Sequence, residues 1–272
     1  EAMSVASSLG LTTSRRTMLE GGTVRNSFAG FSNQIGLTVW DLVASGFTGE
    51  ADGVGTVYGT IAAEDWRPEE MVAELGQRWE IARNYFKRHA CCRYNHAALD
   101  ALAQITTREP IAPDDVRAVE VDTYVWAAQL ASPEPHNMLA AKFSLPFSIA
   151  TTLVHGAASV EAFRETARAD ARIRDLARRV SVREDEALTD RLPAQRPARV
   201  RVTLADGRTL ASETFTNRGD TEDPYGPADI EDKFLELAGP VWGVGQARAL
   251  HETLSRLETA SSLDEITALL AR

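Results

Sequence analysis

No stretch of eighteen apolar residues occurs in the 272-residue chain, so no segment has the length that a membrane-spanning helix needs. The opening Glu-Ala-Met-Ser-Val-Ala has neither a basic cluster nor a long apolar run and does not read as a signal peptide. Cysteine is scarce: Cys91 and Cys92 are the two present, and they are adjacent. Adjacent cysteines rarely bridge each other because the geometry is strained, so a reducing, cytoplasmic setting is expected. Basic residues are outnumbered, 29 Lys and Arg against 39 Asp and Glu, for a formal charge of −10. A net negative surface repels phosphate backbones, which argues against nucleic acid as a partner. A local pocket can still be basic, so a small acidic substrate stays open. No internal repeat or low-complexity linker interrupts the chain.

The composition, 44% hydrophobic and 25% charged, is that of an ordinary soluble globular protein. The length holds one large domain or two smaller ones. The first residue is not Met, and residues 3–10 read as the tail of a buried helix stopped by Gly10. That opening suggests a fragment, a processed chain or a truncated one.

Apolar spacing predicts a helix from about Ser27 to Ser45, with Phe31, Ile35, Val39, Leu42 and Val43 on one face and Gly46 just past its end. Trp40 on the other face suggests burial on two sides. A Gly-rich loop through Gly53, Gly55 and Gly59 follows, then a helix over Pro68–Trp79 and another over 95–107. Beyond Pro110 the character changes. Residues 116–125 alternate as a strand, and 143–154 and 160–179 read as helices. Val180–Val182 is a short strand. Residues 198–215 form a hairpin about Asp206-Gly207, the strongest short hairpin signal. From Ile230 onward the chain is helical again. The order helical, mixed, helical suggests an α+β domain of about residues 84–221 inserted between 1–83 and 222–272, whose helices pack together as a second domain.

Four stretches carry a family pattern in order. The first is Gly22-Thr-Val-Arg25, followed by Gly46-Phe-Thr-Gly49. The second is Lys87-Arg-His-Ala-Cys-Cys-Arg-Tyr-Asn-His96. The third is Ala141-Lys-Phe-Ser-Leu-Pro-Phe147, and the fourth is Gly219-Asp-Thr-Glu-Asp-Pro224. Together they resemble the C-terminal part of the MmgE/PrpD family, which includes 2-methylcitrate dehydratase and cis-aconitate decarboxylase. The resemblance implies an all-α domain built from both chain ends, an inserted α+β lid domain, and preceding N-terminal helices that this sequence does not contain. It also implies lyase chemistry on a small polycarboxylate without metal or organic cofactor, and a tendency to homodimers.

Such chemistry needs cations to hold carboxylates, a base to take a proton beside one of them, and an acid for the leaving group. The resemblance places Lys87 where the family has a substrate-facing lysine, for carboxylate binding or acid/base work. His96, at a helix N-terminus where the dipole favours the neutral ring, is a candidate base, and His89 is its rival. Arg25 falls where the family shows lysine. It can grip a carboxylate bidentately but cannot shed a proton. Phe147 stands where a tyrosine is common, which removes one donor, and Ser144 is a nearby hydroxyl. Cys-Cys-x-x-x-His has no usual zinc spacing, so no metal ligand is assigned. The glycines at 53–59 do not fit the dinucleotide fingerprint. Two readings follow. One is a lyase or isomerase, with a second chain supplying the N-terminal helices. The other is a non-catalytic subunit that keeps the fold, for which Arg25 and Phe147 speak.

Overall fold

A computed structural model of the chain describes residues 1–10 and 14–271. They divide into two compact units, Glu1–Ala82 with His89–Phe215, and Arg83–Arg88 with Thr216–Arg272. The first unit runs α1 (Ala2–Leu9), α2 (Arg15–Leu19), α3 (Phe28–Ala44), α4 (Pro68–Val72), α5 (His96–Arg108) and β1 (Val116–Thr123). It continues with α6 (Val125–Ala128), α7 (Met138–Lys142), α8 (Leu145–His155), α9 (Glu165–Ala169) and α10 (Ala171–Ala177). It ends with β2 (Val180–Glu184), α11 (Glu186–Thr189), β3 (Ala198–Leu204) and β4 (Thr209–Thr214). The second unit carries α12 (Pro227–Trp242), α13 (Val244–Leu254) and α14 (Asp264–Leu270). The chain is therefore a mixed α+β protein with one four-stranded sheet. Among the described residues, no helix is long and apolar enough to cross a membrane.

The sheet has the order β2-β1-β3-β4, with β1 parallel to β2 and antiparallel to β3. Alternation in β3 buries Val200, Val202 and Leu204 on one face, opposite Val116, Val119 and Val121 of β1. The β3–β4 turn is closed by Asp206, whose Oδ1 accepts the Arg208 N–H at 2.9 Å, and by Gly207 at φ +88. Helix α5 lies on β3 and β4, α8 on β2, and α10 against α8. Leu99, Leu102 and Ile105, on the predicted face of α5, are fully buried in this core.

Several local expectations change. The Gly-rich stretch is helical, ending in a π-helix over Gly55–Ala62. Asp52 Oδ1 accepts the Gly55 N–H at 2.9 Å. A Cβ on Gly49 would lie 2.7 Å from the Ser4 carbonyl carbon, and one on Gly53 would lie 2.8 Å from Ser7 Oγ. These glycines serve close approach to α1, which the sequence does not distinguish from loop flexibility. The helix expected to Trp79 stops at Val72, because Ala73 turns extended and Glu74 takes φ +55. The single helix over 160–179 is broken at Asp170, whose carboxylate accepts the Arg172 N–H at 2.9 Å and starts α10 anew. Phe163, Ala167, Ile173 and Leu176 are nonetheless buried. Gly10 ends α1 in an extended conformation, φ −59 and ψ 140, rather than a left-handed cap. Only Val5 and Ser7 of α1 are buried.

Helix α3 ends as predicted. The Gly46 and Phe47 N–H groups reach the Val43 and Leu42 carbonyls, each at 3.0 Å, with Gly46 at φ +90; this is the Schellman arrangement. Its burial is one-sided. Val39 is buried, whereas Trp40 is 71% exposed.

In the second unit the Phe86 N–H donates to the Gly219 carbonyl at 2.9 Å. Gly219 sits at φ +91, and a Cβ there would meet the Phe86 carbonyl oxygen at 2.4 Å. Helices α12 and α13 pack together, and α13 on α14. Lys233 Nζ donates to the Arg88 carbonyl at 2.9 Å.

The buried face of α5 sets a direct expectation. Leu102→Ala should cost about 2–5 kcal/mol, through lost burial and the cavity left behind. Thr107→Ala, on the exposed face of the same helix, should stay within about 0.5 kcal/mol. Urea unfolding midpoints measure both.

Candidate active site

The segment Cys91–His96 is a short turn leading into α5, with a 3-10 piece at Arg93–Asn95. It is fastened to the segment around α7 and α8. The Cys92 N–H donates to the Lys142 carbonyl at 2.8 Å. Asn95, fully buried, donates from Nδ2 to Ser148 Oγ at 2.9 Å and to the Lys142 carbonyl at 3.4 Å. Ser148 Oγ in turn donates to the Ser144 carbonyl at 2.7 Å. Ser144 caps α8: its Oγ accepts the Phe147 N–H at 3.0 Å and donates to the Ser132 carbonyl.

A third stretch joins them. Asn137 caps α7 by accepting the Ala140 N–H, while its Nδ2 donates to the Gly21 carbonyl at 2.9 Å. Gly21 takes φ +68, and a Cβ there would lie 2.9 Å from both Ala140 Cβ and Asn137 Oδ1; only glycine fits. Arg25 lies over the Phe143 ring at 5.6 Å, and Arg15 over the Tyr94 ring at 5.4 Å. Three stretches far apart in sequence, about 14–29, 91–96 and 137–148, therefore meet. A cleft of about 520 Å3 is lined by Ser14, Arg15, Met18, Arg25, Asn26 and Phe28, with Ala29.

Beside the second stretch, His89 Nε2 and Asp100 Oδ1 are 3.1 Å apart, both largely buried. A carboxylate only accepts, so His89 Nε2 is assigned as the donor. The His96 ring, 1% exposed, meets His89 edge-on at 5.0 Å between centroids. Tyr94, Tyr124 and Trp126 form an aromatic cluster, Tyr94 meeting Tyr124 edge-on at 5.7 Å and stacking with Trp126 at 6.1 Å. Burial pushes the Tyr124 phenol well above its ordinary value. Nearby Cys92 adds to the rise and Arg196 and Arg93 oppose it, so the phenol is a neutral donor.

Of the residues singled out from the sequence, His89 and His96 come together, and Arg25 lines the cleft. Ser144 has its hydroxyl engaged in capping. Phe147 is fully buried, its ring 6.0 Å from that of Phe163. Lys87 belongs to the second unit and is exposed. Cys91 is buried and Cys92 half-buried, and they form no disulfide. Among the described residues no three His, Cys, Asp or Glu side chains gather at metal-ligand range.

Sequence reasoning passed over Asn95, Asp100, Tyr124 and Arg15. Asp100 had a signal. It is an acid on the His96 side of an otherwise apolar helix face, four residues on.

The MmgE/PrpD C-terminal domain model matches residues 89–259. The chain belongs to the MmgE/PrpD family. The match takes in the third and fourth motif stretches and the second from His89 onward, and the second and third are fastened together by Cys92 and Asn95. Among curated proteins, the chain is similar to the cis-aconitate decarboxylase-like protein oryM of Aspergillus oryzae, 23% identical over 215 residues, covering 76% of this chain and 44% of that protein. It is also similar to the cis-aconitate decarboxylase of Aspergillus terreus, 23% identical over 216 residues, covering 75% of this chain and 44% of that protein. The chain thus spans less than half the length of these MmgE/PrpD relatives.

Asn95→Ala should destabilise the protein by about 1–3 kcal/mol, because it strips a donor from a buried carbonyl and hydroxyl. The exposed Asn33→Ala should change stability by less than about 0.5 kcal/mol. Equal unfolding midpoints for the two variants would contradict the fastening role of Asn95.

Proposed function

We propose that this chain is a lyase-type enzyme, or an enzyme subunit, that removes water or carbon dioxide from a small polycarboxylate by cofactor-free acid/base chemistry. The observation that carries this is the meeting of residues 14–29, 91–96 and 137–148, with Arg25 on the cleft and His89 against His96 beside the second stretch. In this reading Arg25 grips a substrate carboxylate through its planar fork. His89, oriented by Asp100, offers Nδ1 as the base for the proton beside that carboxylate. His96 is its neighbour and alternate. Lys87 keeps its assignment, carboxylate binding or acid/base work, on the motif alone. Phe147 and Ser144 are read as supports of the pocket wall, one by packing and one by capping.

The proposal extends to assembly. In this reading a second polypeptide or a second copy completes the helical part of the protein. Leu37, Trp40, Ile61, Leu75, Trp79 and Ile81 are 65–79% exposed, and large apolar side chains so exposed are typical of surfaces that a partner covers. Two observations favour a second reading, a non-catalytic MmgE/PrpD-like subunit: arginine at position 25 cannot give up a proton, and the Ser144 hydroxyl is engaged. An isomerase or epimerase of the same family is the remaining variant, since it needs the same base and the same carboxylate grip.

The test is turnover by the purified protein, with whatever co-purifies, of cis-aconitate, citrate and 2-methylcitrate followed by proton NMR. The expected result is conversion of one of them, with Lys87→Ala and His89→Gln each lowering kcat by about 10²–10⁴ at unchanged melting temperature. Conversion no faster than in buffer, or variants as active as the parent, would remove the lyase reading and leave the subunit role.

A further inference from the structure

Many of this protein's arginines are paired with acids. Arg16 pairs with Glu20, Arg168 with Glu165, Arg201 with Glu120 and Asp122, and Arg208 with Asp206 and Glu109. The cleft lined by Arg15 and Arg25 departs from that pattern. No acidic side chain lines it, and among the described residues neither guanidinium meets a carboxylate. In a chain of net charge −10, two cations in one cleft without a counter-charge form a local site for anions.

Arg15 is also held in place. Its Nη2 donates to the Trp126 carbonyl at 2.8 Å, and its guanidinium lies over Tyr94. Its Nε is buried with no acceptor among the described residues. One of five N–H donors is thus used, and the group is oriented before any ligand arrives, which reduces the ordering cost of binding. Arg25, exposed, lies over the Phe143 ring at 5.6 Å. The rest of the lining is apolar at Met18, Phe28 and Ala29, with Ser14 and Asn26 as additional polar groups. Two guanidinium groups and a carbon-compatible wall match a short acid with more than one carboxylate better than a compact inorganic anion. The cleft falls in the ordinary range for a small-molecule site, roughly 300–1,000 Å3.

We propose that Arg15 is a second carboxylate-binding residue, positioned by Tyr94 and Trp126, and that the Arg15–Arg25 pair selects acids with two or more carboxylates over acids with one. This rests on the polycarboxylate reading above. It adds a residue outside the four motif stretches and assigns it the discrimination step.

The test is calorimetric titration of the purified full chain with tricarballylate, a tricarboxylate with neither a hydroxyl nor a double bond to react, and with butyrate and inorganic phosphate. The expected result is tricarballylate binding at least about tenfold tighter than butyrate or phosphate, weakened about tenfold or more by Arg15→Gln, the loss of one charge-assisted contact. Butyrate binding should change less than about twofold on the same substitution, and Arg16→Gln should bind tricarballylate as the parent does. If Arg15→Gln lowers the melting temperature, Arg15→Lys replaces it. Lys keeps the charge over Tyr94 but loses the fork, and should weaken tricarballylate about threefold or more. No tricarballylate binding, binding indifferent to Arg15, an equal loss on Arg16→Gln, or phosphate binding as tightly as tricarballylate would each overturn the proposal. Turnover with Arg15→Gln as active and as selective as the parent would remove it and leave the lyase reading. Arg15-dependent binding without turnover of any acid would support it and remove the lyase reading instead.

Discussion

The site depends on one buried amide. Asn95 has no exposed surface, and its Nδ2 reaches both the Lys142 carbonyl and the Ser148 hydroxyl. It holds the turn that carries Cys92, Arg93 and Tyr94 to the α7–α8 corner, beside the backbone bond from Cys92 to Lys142. A buried polar contact of this kind contributes only modestly to net stability, yet it is expensive to break. That asymmetry sets the geometry of what is attached: Tyr94 under Arg15, Phe143 under Arg25, and His96 against His89. The amide takes the place of a disulfide or metal that would serve the same purpose in another fold.

The first unit has two characters. From residue 89 onward, the sheet and the helices α5, α8 and α10 form a continuous apolar core in which Phe147 and Phe163 are wholly buried. Residues 1–82 pack more thinly, through glycine contacts at Gly49 and Gly53, and leave Trp40, Ile61 and Trp79 exposed. The cationic cleft lies on this thinner side but is oriented by the better-packed one, through Trp126, Tyr94 and Phe143. Rigid support beneath an adaptable surface is a common arrangement for binding sites.

Much of the core was legible because its periodicity is strong. Leu99, Leu102 and Ile105 on α5, and Val200, Val202 and Leu204 on β3, alternate as helix and strand demand. The hairpin at Asp206-Gly207 and the stop at Gly46 follow from turn chemistry that few residues can supply. The failures lie where one residue type serves two purposes. The glycines at 49–59 looked like a loop because close approach and flexibility call for the same side chain. Asp170 looked like a surface residue on a long helix, whereas it caps a new one. At the site, the motif residues His89 and His96 were legible as chemistry. Their supports were not, since Asn95 and Asp100 are polar residues whose partners lie across the fold or eleven positions away. Arg15 was invisible for a related reason. An arginine matters when no acid answers it, and that is a property of the fold.

The most direct measurement of the convergence is hydrogen–deuterium exchange on the purified chain with and without saturating tricarballylate. The account predicts that added protection appears together in residues 14–29, 91–96 and 137–148, because they form one site. Protection confined to one of these stretches, or appearing in β3 and β4 instead, would contradict it.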